Sequence, residues 1–387
     1  MNFAMRKKLV FVTLVLLLAV ILSGCAGGPV RGTTWAGLTA TDSTAYLADG
    51  SFVYAVNLND GTQAWQYPAK ANSKQVFYTT PVLTEDGLVI VGSSGTDHVL
   101  VAINPNDKDP ETGSPREAWA FSDVKDHWVA APLIVGDKLF APNSDGNLYV
   151  LNLADGQSVK KAEKVIELGG RLWAKPTADA EGKRIFVTSL DHSVVAIDTT
   201  TYEVLWHVDL DAAIPDSVVV GADGMLYVGT LDSKFEKFDP ATGEHETVLT
   251  MDGWLWGTPT VNGDTIYIAD LTGKVYSYNS STGAVDWSTQ PDGAITASPV
   301  ILPGSILIAT ESGKTEDDPG SLYAISLDGK SILWNEAISG ERSGKIYSTP
   351  VVTKDLILVA PLGADGYLYA YNLEGREASW SPFTPGK

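Results

Sequence analysis

Four aromatic residues, Tyr78, Trp173, Trp256 and Tyr347, each stand three residues ahead of a proline: Pro81, Pro176, Pro259 and Pro350. Trp35 holds the equivalent place near the start of the chain, and His127, Trp128, Arg171, Lys175, Trp254 and Lys345 lie around the same positions. Aromatic faces attract cations, and ammonium and guanidinium groups attract carboxylates. Such a set, brought to one mouth, suits an anionic planar ligand such as a quinone carboxylate, or an acidic peptide segment. The competing role is structural: rings wedged between packed sheets, with the charges capping a channel rim. Period-two spacing alone does not choose between them.

Other residues invite a catalytic reading and lose it on inspection. Asp97-His98 and Asp191-His192 resemble Asp–His couples, but with Asp232-Ser233 they fall at one place in a recurring pattern. That place is a tight turn, and such residues tolerate a left-handed backbone. The acidic stretches Asn104 to Gly113 and Thr315 to Gly320 offer oxygen ligands without the EF-hand spacing. They are expected to be solvated loops and contact points for partners. No metal site is expected.

The one cysteine, Cys25, has a different chemistry. Arg6, Lys7 and Lys8 precede an apolar run from Leu9 to Leu22, and Leu22-Ser23-Gly24-Cys25 follows. This is a secretory leader ending in a bacterial lipobox, so residues 1–24 are expected to be removed and Cys25 to carry lipid. Several acyl chains on one residue hold a protein stably at a bilayer surface. Residues 25–34 are then the lipidated Cys and a flexible tether, and 35–387 the folded domain. With Cys25 lipidated no thiol remains, which removes disulfides and thiolate catalysis. The expected location is an outer membrane, facing the periplasm, if the host has two membranes, and otherwise the outer face of the cytoplasmic membrane.

Charge narrows the partners. The formal net charge is −20, and loss of the leader's three cations makes it more negative still. A surface this acidic repels nucleic acid and anionic lipid, so DNA and RNA binding are excluded.

The elements that must position these residues are copies of one phrase. Eight apolar strands end in a polar residue: Asn57, Asn104, Asn152, Asp198, Asp239, Asn279, Ser326 and Asn372, spaced 40–48 residues apart. Each copy also holds an opening strand, often with the proline above, a second apolar strand, and a fourth that ends in Trp. Trp65, Trp119, Trp206, Trp287, Trp334 and Trp380 take that last place, and repeats three and five lack it. This period, with only strand signals inside it, predicts an all-β, eight-bladed propeller of four-stranded antiparallel blades. One blade cannot bury both faces alone, whereas eight in a ring bury each other. The first repeat begins at its opening strand, so the ring is expected to close without a swapped strand, with residues after Trp380 free to pair with a neighbour.

The phrases Asn57 to Trp65 (NLNDGTQAW) and Asn279 to Trp287 (NSSTGAVDW) make the resemblance specific. Repeats ending Asn-x-x-x-Gly-x-x-x-Trp resemble the quinoprotein, or PQQ-type, β-propeller family, over nearly all of residues 35–387. The resemblance implies that the Gly makes a turn and the Trp packs between neighbouring blades. The chain departs from it at Tyr202, where Gly is expected, and in the two Trp-less repeats.

Three functions follow from that resemblance. A lipoprotein made almost wholly of such blades is similar to the propeller subunits of the machinery that inserts β-barrels into outer membranes. That implies a non-catalytic scaffold whose partners are envelope proteins, among them a barrel-assembly complex. The second reading is a binder or sensor of a small anionic ligand at the mouth, with PQQ the first to try; no cofactor is otherwise expected. The third is a quinoprotein dehydrogenase, but the family's alcohol-oxidising members use adjacent cysteines, Ca²⁺ and an Asp base on a longer chain, and this chain has one Cys.

Overall fold

The computed structural model describes residues 35–159, 165–315, 317–340 and 344–386. The expected leader, Cys25 and the rest of the tether all lie outside them. Eight antiparallel sheets follow one another along the chain, over residues 37–67, 82–121, 133–167, 177–209, 219–250, 260–289, 300–337 and 351–372. Within each sheet every strand pairs only with its neighbour in sequence. This is the expected eight-bladed propeller, and blade numbers below follow chain order.

The third strand is the buried spine of each blade. Phe52–Asn57, the first half of Leu100–Lys108, Asn147–Asn152, Ser193–Asp198, Val275–Asn279, Ser321–Ser326 and Tyr369–Asn372 are largely apolar on both faces because each face meets a blade, while Lys234–Phe238 of blade 5 is the exception, with Glu236 among its buried residues. Neighbouring blades therefore share cores. Val53 and Ala55 of blade 1 pack with Val89, Val91, Val101 and Ile103 of blade 2. At the seam, Leu38, Leu47 and Tyr54 of blade 1 pack with Leu358, Leu368 and Phe383 at the end of the chain. Among the described residues no strand crosses that seam: blade 1 supplies its own first strand, Gly37–Ala40, paired to Thr44–Asp49.

A bulge on the fourth strand repeats around the ring. The ladder slips between Ala55 and Val56, Ala102 and Ile103, Ala196 and Ile197, Ser277 and Tyr278, and Ala324 and Ile325. In each case the residue just before the slip, Ala or Ser, lies opposite the Trp. A bulge bends its strand and re-aims the side chain that follows. A small residue opposite leaves room for the indole. In blade 5, which has no Trp, the slip moves to lie between Phe235 and Glu236.

Several details differ from the sequence reading. The opening strands are short: Val82–Leu83, Thr177–Ala178, Val219–Val220 and Val351–Val352 have two residues each. In blades 2, 4 and 8 a proline just before the strand has no N–H for the ladder, so pairing begins only after it. The acidic stretch from Asn104 is not a free loop. The strand runs on to Lys108 and pairs with Pro115, closing a hairpin in which Arg116 lies 3.3 Å from Asp107. Among the described residues the fourth strand of blade 3 is Ile166–Glu167, with an isolated bridge from Ser158 to Leu151. Blade 8 has three strands, its outer edge being completed by bridges from Glu377 to Tyr371 and from Phe383 to Leu368. Residues after Trp380 thus pair within their own blade.

Candidate functional site

The turns between second and third strands and the linkers from one blade's fourth strand to the next blade's first form one loop face. Apart from Trp35, which precedes the first strand of blade 1, the aromatic-basic residues lie on these linkers. Tyr78 is half-buried and meets Trp35 edge-on, ring centres 6.3 Å apart. Trp173 donates its indole N–H to Ser144 Oγ at 3.2 Å, on the blade 3 turn. Tyr347 donates to Glu311 Oε1 at 2.9 Å, and Lys345 Nζ donates to the Asp318 carbonyl at 3.0 Å, both on the blade 7 turn. Trp256 is half-buried. The polar tips of Trp173, Tyr347 and Lys345 therefore grip the turn of the preceding blade.

Trp128 does not belong to a mouth. It is buried to 1% exposure in the core between blades 2 and 3, its ring 5.7 Å from Tyr149. Its carbonyl accepts from Thr79 Oγ1 and Ser94 Oγ, which tie the linker to blade 2. Its neighbour His127 is exposed, pairs with Asp126, and lies 4.8 Å from the ring of His98. His98 itself departs from the turn reading. His192 and Ser233 adopt positive φ, 59° and 69°, while His98 does not, and its Nδ1 is buried without a hydrogen-bond partner.

Besides His127, three of these groups are open to solvent on this face. Arg171 is exposed, and Trp254 is 55% exposed. Lys175 is reached by water yet crowded by protein, and that burial lowers its ammonium pKa. Its carbonyl accepts from Ser217 Oγ of blade 5 at 2.7 Å. The next residue back, Asp216, was not among the residues singled out from sequence. Its carboxylate accepts from the backbone N–H groups of Ser217 at 2.8 Å and Thr258 at 3.0 Å. Burial raises its pKa against the pull of those bonds. A signal for it existed: the equivalent places in other repeats hold small residues, Thr79, Ala130, Ala174, Gly257, Ala297 and Ser348. These linkers meet closely near the ring's centre; a Cβ on Gly257 would lie 2.9 Å from the Ala297 backbone.

The Trp residues mark the opposite use of aromatic rings. Indole N–H groups of Trp119, Trp206, Trp287 and Trp380 donate to carbonyls of the next blade, at Leu153, Pro240, Leu327 and Leu58, over 2.9–3.1 Å. The last of these bonds spans the seam. Beneath the rings of Trp380, Trp119, Trp206, Trp287 and Trp334 lie Gly61, Gly156, Gly243, Gly329 and Gly375, all at positive φ.

This geometry defines a PQQ-type β-propeller whose loop face is its most varied surface. The sequence matches the family described as "Outer membrane protein assembly factor BamB" over residues 26–244, and the chain belongs to that family. Among solved structures it is similar to BamB from Moraxella catarrhalis, at 19% identity and TM-score 0.60, over 87% of this chain and 91% of that one. It is also similar to the computationally designed Ika8 protein, at 12% identity and TM-score 0.66, over 90% of this chain and 98% of that one. At these identities the two structures speak for the fold alone. No curated protein matches the sequence.

Proposed function

We propose that the chain is a non-catalytic scaffold, anchored by lipid at Cys25, that presents its loop face to protein partners in outer-membrane β-barrel assembly. The observation that carries this reading is membership of the assembly-factor family across residues 26–244. The architecture supports it: strands locked blade to blade by shared cores form a rigid frame, and specificity is left to the loops where the copies differ. Most of the aromatic-basic residues are engaged with neighbouring blades, which favours a structural role for them over a ligand mouth. We place no cofactor there. Affinity capture of the lipidated protein from crosslinked, solubilised envelopes tests the proposal. Stoichiometric recovery of a barrel-assembly protein is the expected result, and recovery of no specific envelope partner overturns it.

A further inference from the structure

Blade 5 departs from the repeat in a way that builds a pocket. Three residues before the terminal polar residue of the third strand, five blades place a Tyr: Tyr54, Tyr149, Tyr276, Tyr323 and Tyr369. Blades 2 and 4 place Val101 and Val195 there. All seven are buried, between 0% and 7% exposed, as core-filling side chains. Blade 5 places Glu236 there, 4% exposed. Because the bulge has moved, Glu236 lies directly opposite Thr247. Two polar side chains thus stand where a phenol ring fills the space in other blades. The result is a cavity of about 250 Å³ between the blade 4 linker, at Asp209 and Asp211, and the blade 5 turn, at Thr230 and Asp232.

The cavity wall is short of positive charge and of donors. Thr247 Oγ1 donates to Glu236 Oε1 at 2.6 Å. Glu236 Oε2 is buried and has no hydrogen-bond partner; His245 Nδ1 lies 3.5 Å from it. A carboxylate can accept about four hydrogen bonds, and leaving a buried oxygen without one is costly. Three more carboxylates border the space: one ammonium answers two of them, Lys234 Nζ lying 3.0 Å from Asp211 and 2.9 Å from Asp232, while the third, Asp209, lies 3.0 Å from His207 Nε2. That ammonium shows which chemistry the walls accept.

We infer that the pocket between blades 4 and 5 binds a single guanidinium or alkylammonium group, with Glu236 as its anchoring carboxylate. The bound N–H groups supply the donors that Glu236 Oε2 lacks, and the flanking Asp209 and Asp232 add attraction. This site is independent of the scaffold reading. Its cation comes either from a free polyamine or from an Arg or Lys side chain on a polypeptide.

Calorimetric titration of the full-length protein in detergent, at 150 mM NaCl, tests the inference and separates the two sources. The probes are agmatine and the blocked peptide acetyl-Gly-Arg-Gly-amide. Saturable binding of either probe is expected, weakened at least about tenfold by Glu236→Gln, since a hydrogen bond to a charged group is lost. Glu236→Tyr, the residue five other blades carry, fills the pocket and abolishes binding while keeping the fold. Tighter binding of agmatine identifies a polyamine site, and equal or tighter binding of the peptide identifies a side-chain site. The inference is overturned if neither probe binds, if Glu236→Gln binds as wild type, or if MgCl₂ at the probe concentration displaces agmatine.

Discussion

The junction between blades 2 and 3 and the junction between blades 3 and 4 solve one packing problem in two ways. At the first, the ring of Trp119 from blade 2 lies over Gly156 of blade 3, and its N–H reaches the Leu153 carbonyl. At the second, blade 3 has no Trp, and blade 4 has Tyr202 where the glycine stands. Tyr202 keeps the glycine's backbone, at φ 62°, and its ring lies 6.2 Å from that of Phe140 in blade 3. The aromatic ring has moved across the junction. Trp and Gly are therefore one device split between two blades, and the loss of the ring on one side frees the other to carry a side chain. A third solution lies between blades 5 and 6. Gly283 remains at φ 69°, but a Cβ there would find only Tyr278 Oη, at 3.9 Å.

Substitutions that separate the halves of this device sharpen the contrast. The largest effect is expected for Trp119→Ala, which empties an aromatic site and strands the Leu153 carbonyl; a loss of about 3–5 kcal/mol is expected from denaturant midpoints. Next is the pair Gly156→Ala and Gly283→Ala. Both force a side chain into the left-handed region, at about 1–2 kcal/mol. Only Gly156→Ala also drives a Cβ to 2.4 Å from an indole atom, and it should lose about 3 kcal/mol in all. Equal losses at the two glycines would break the comparison. In the double variant Trp119→Ala/Gly156→Ala the ring is gone, so the combined loss should fall short of the sum by about 1 kcal/mol or more.

Tyr202→Gly should change stability by less than about 1 kcal/mol, because relief of backbone strain offsets the lost ring contact. A large loss would show that the tyrosine does more than fill space. The smallest effect concerns the turn itself. Backbone N–H groups of Thr201 and Thr200 bond Asp198 and hold its carboxyl below the usual carboxylate range. Its stabilising contribution is therefore present above the unfolded carboxyl pKa, about 4, and is lost as pH falls through the lower folded value. Asp198→Asn, the residue five other blades use, keeps the acceptor and should flatten the acid side of the stability profile, with little change at pH 7.

Much of this fold is legible in the sequence because each third strand must be apolar on both faces, and few other arrangements demand that. Tyr202 and the two missing Trp residues also stand out as departures before any coordinate is known. The position of a bulge does not, since it is a one-residue slip that leaves the composition of both strands unchanged. The blade 5 pocket depends on that slip, although Glu236 is marked as the one acid in a column of Tyr and Val. The linkers are the least legible part. A proline ends the ladder, alternation no longer applies before it, and so Trp128 is read as a surface ring when it is a core one. Asp216 was missed for the related reason that its repeat has no proline at the aligned place.

The seam between blades 8 and 1 is held by the same means as the junctions after blades 2, 4 and 6: Trp380 over Gly61, an indole bond to Leu58, and a shared core in which Tyr54 meets Phe383. Among the described residues no strand is exchanged across it. The ring thus has no privileged starting point. A chain joined from its last blade to its first and cut at another linker would contain the same eight complete units in the same cyclic order. For this protein the sequence of blades is a circle, and the place where it is cut decides only where a tether can be attached.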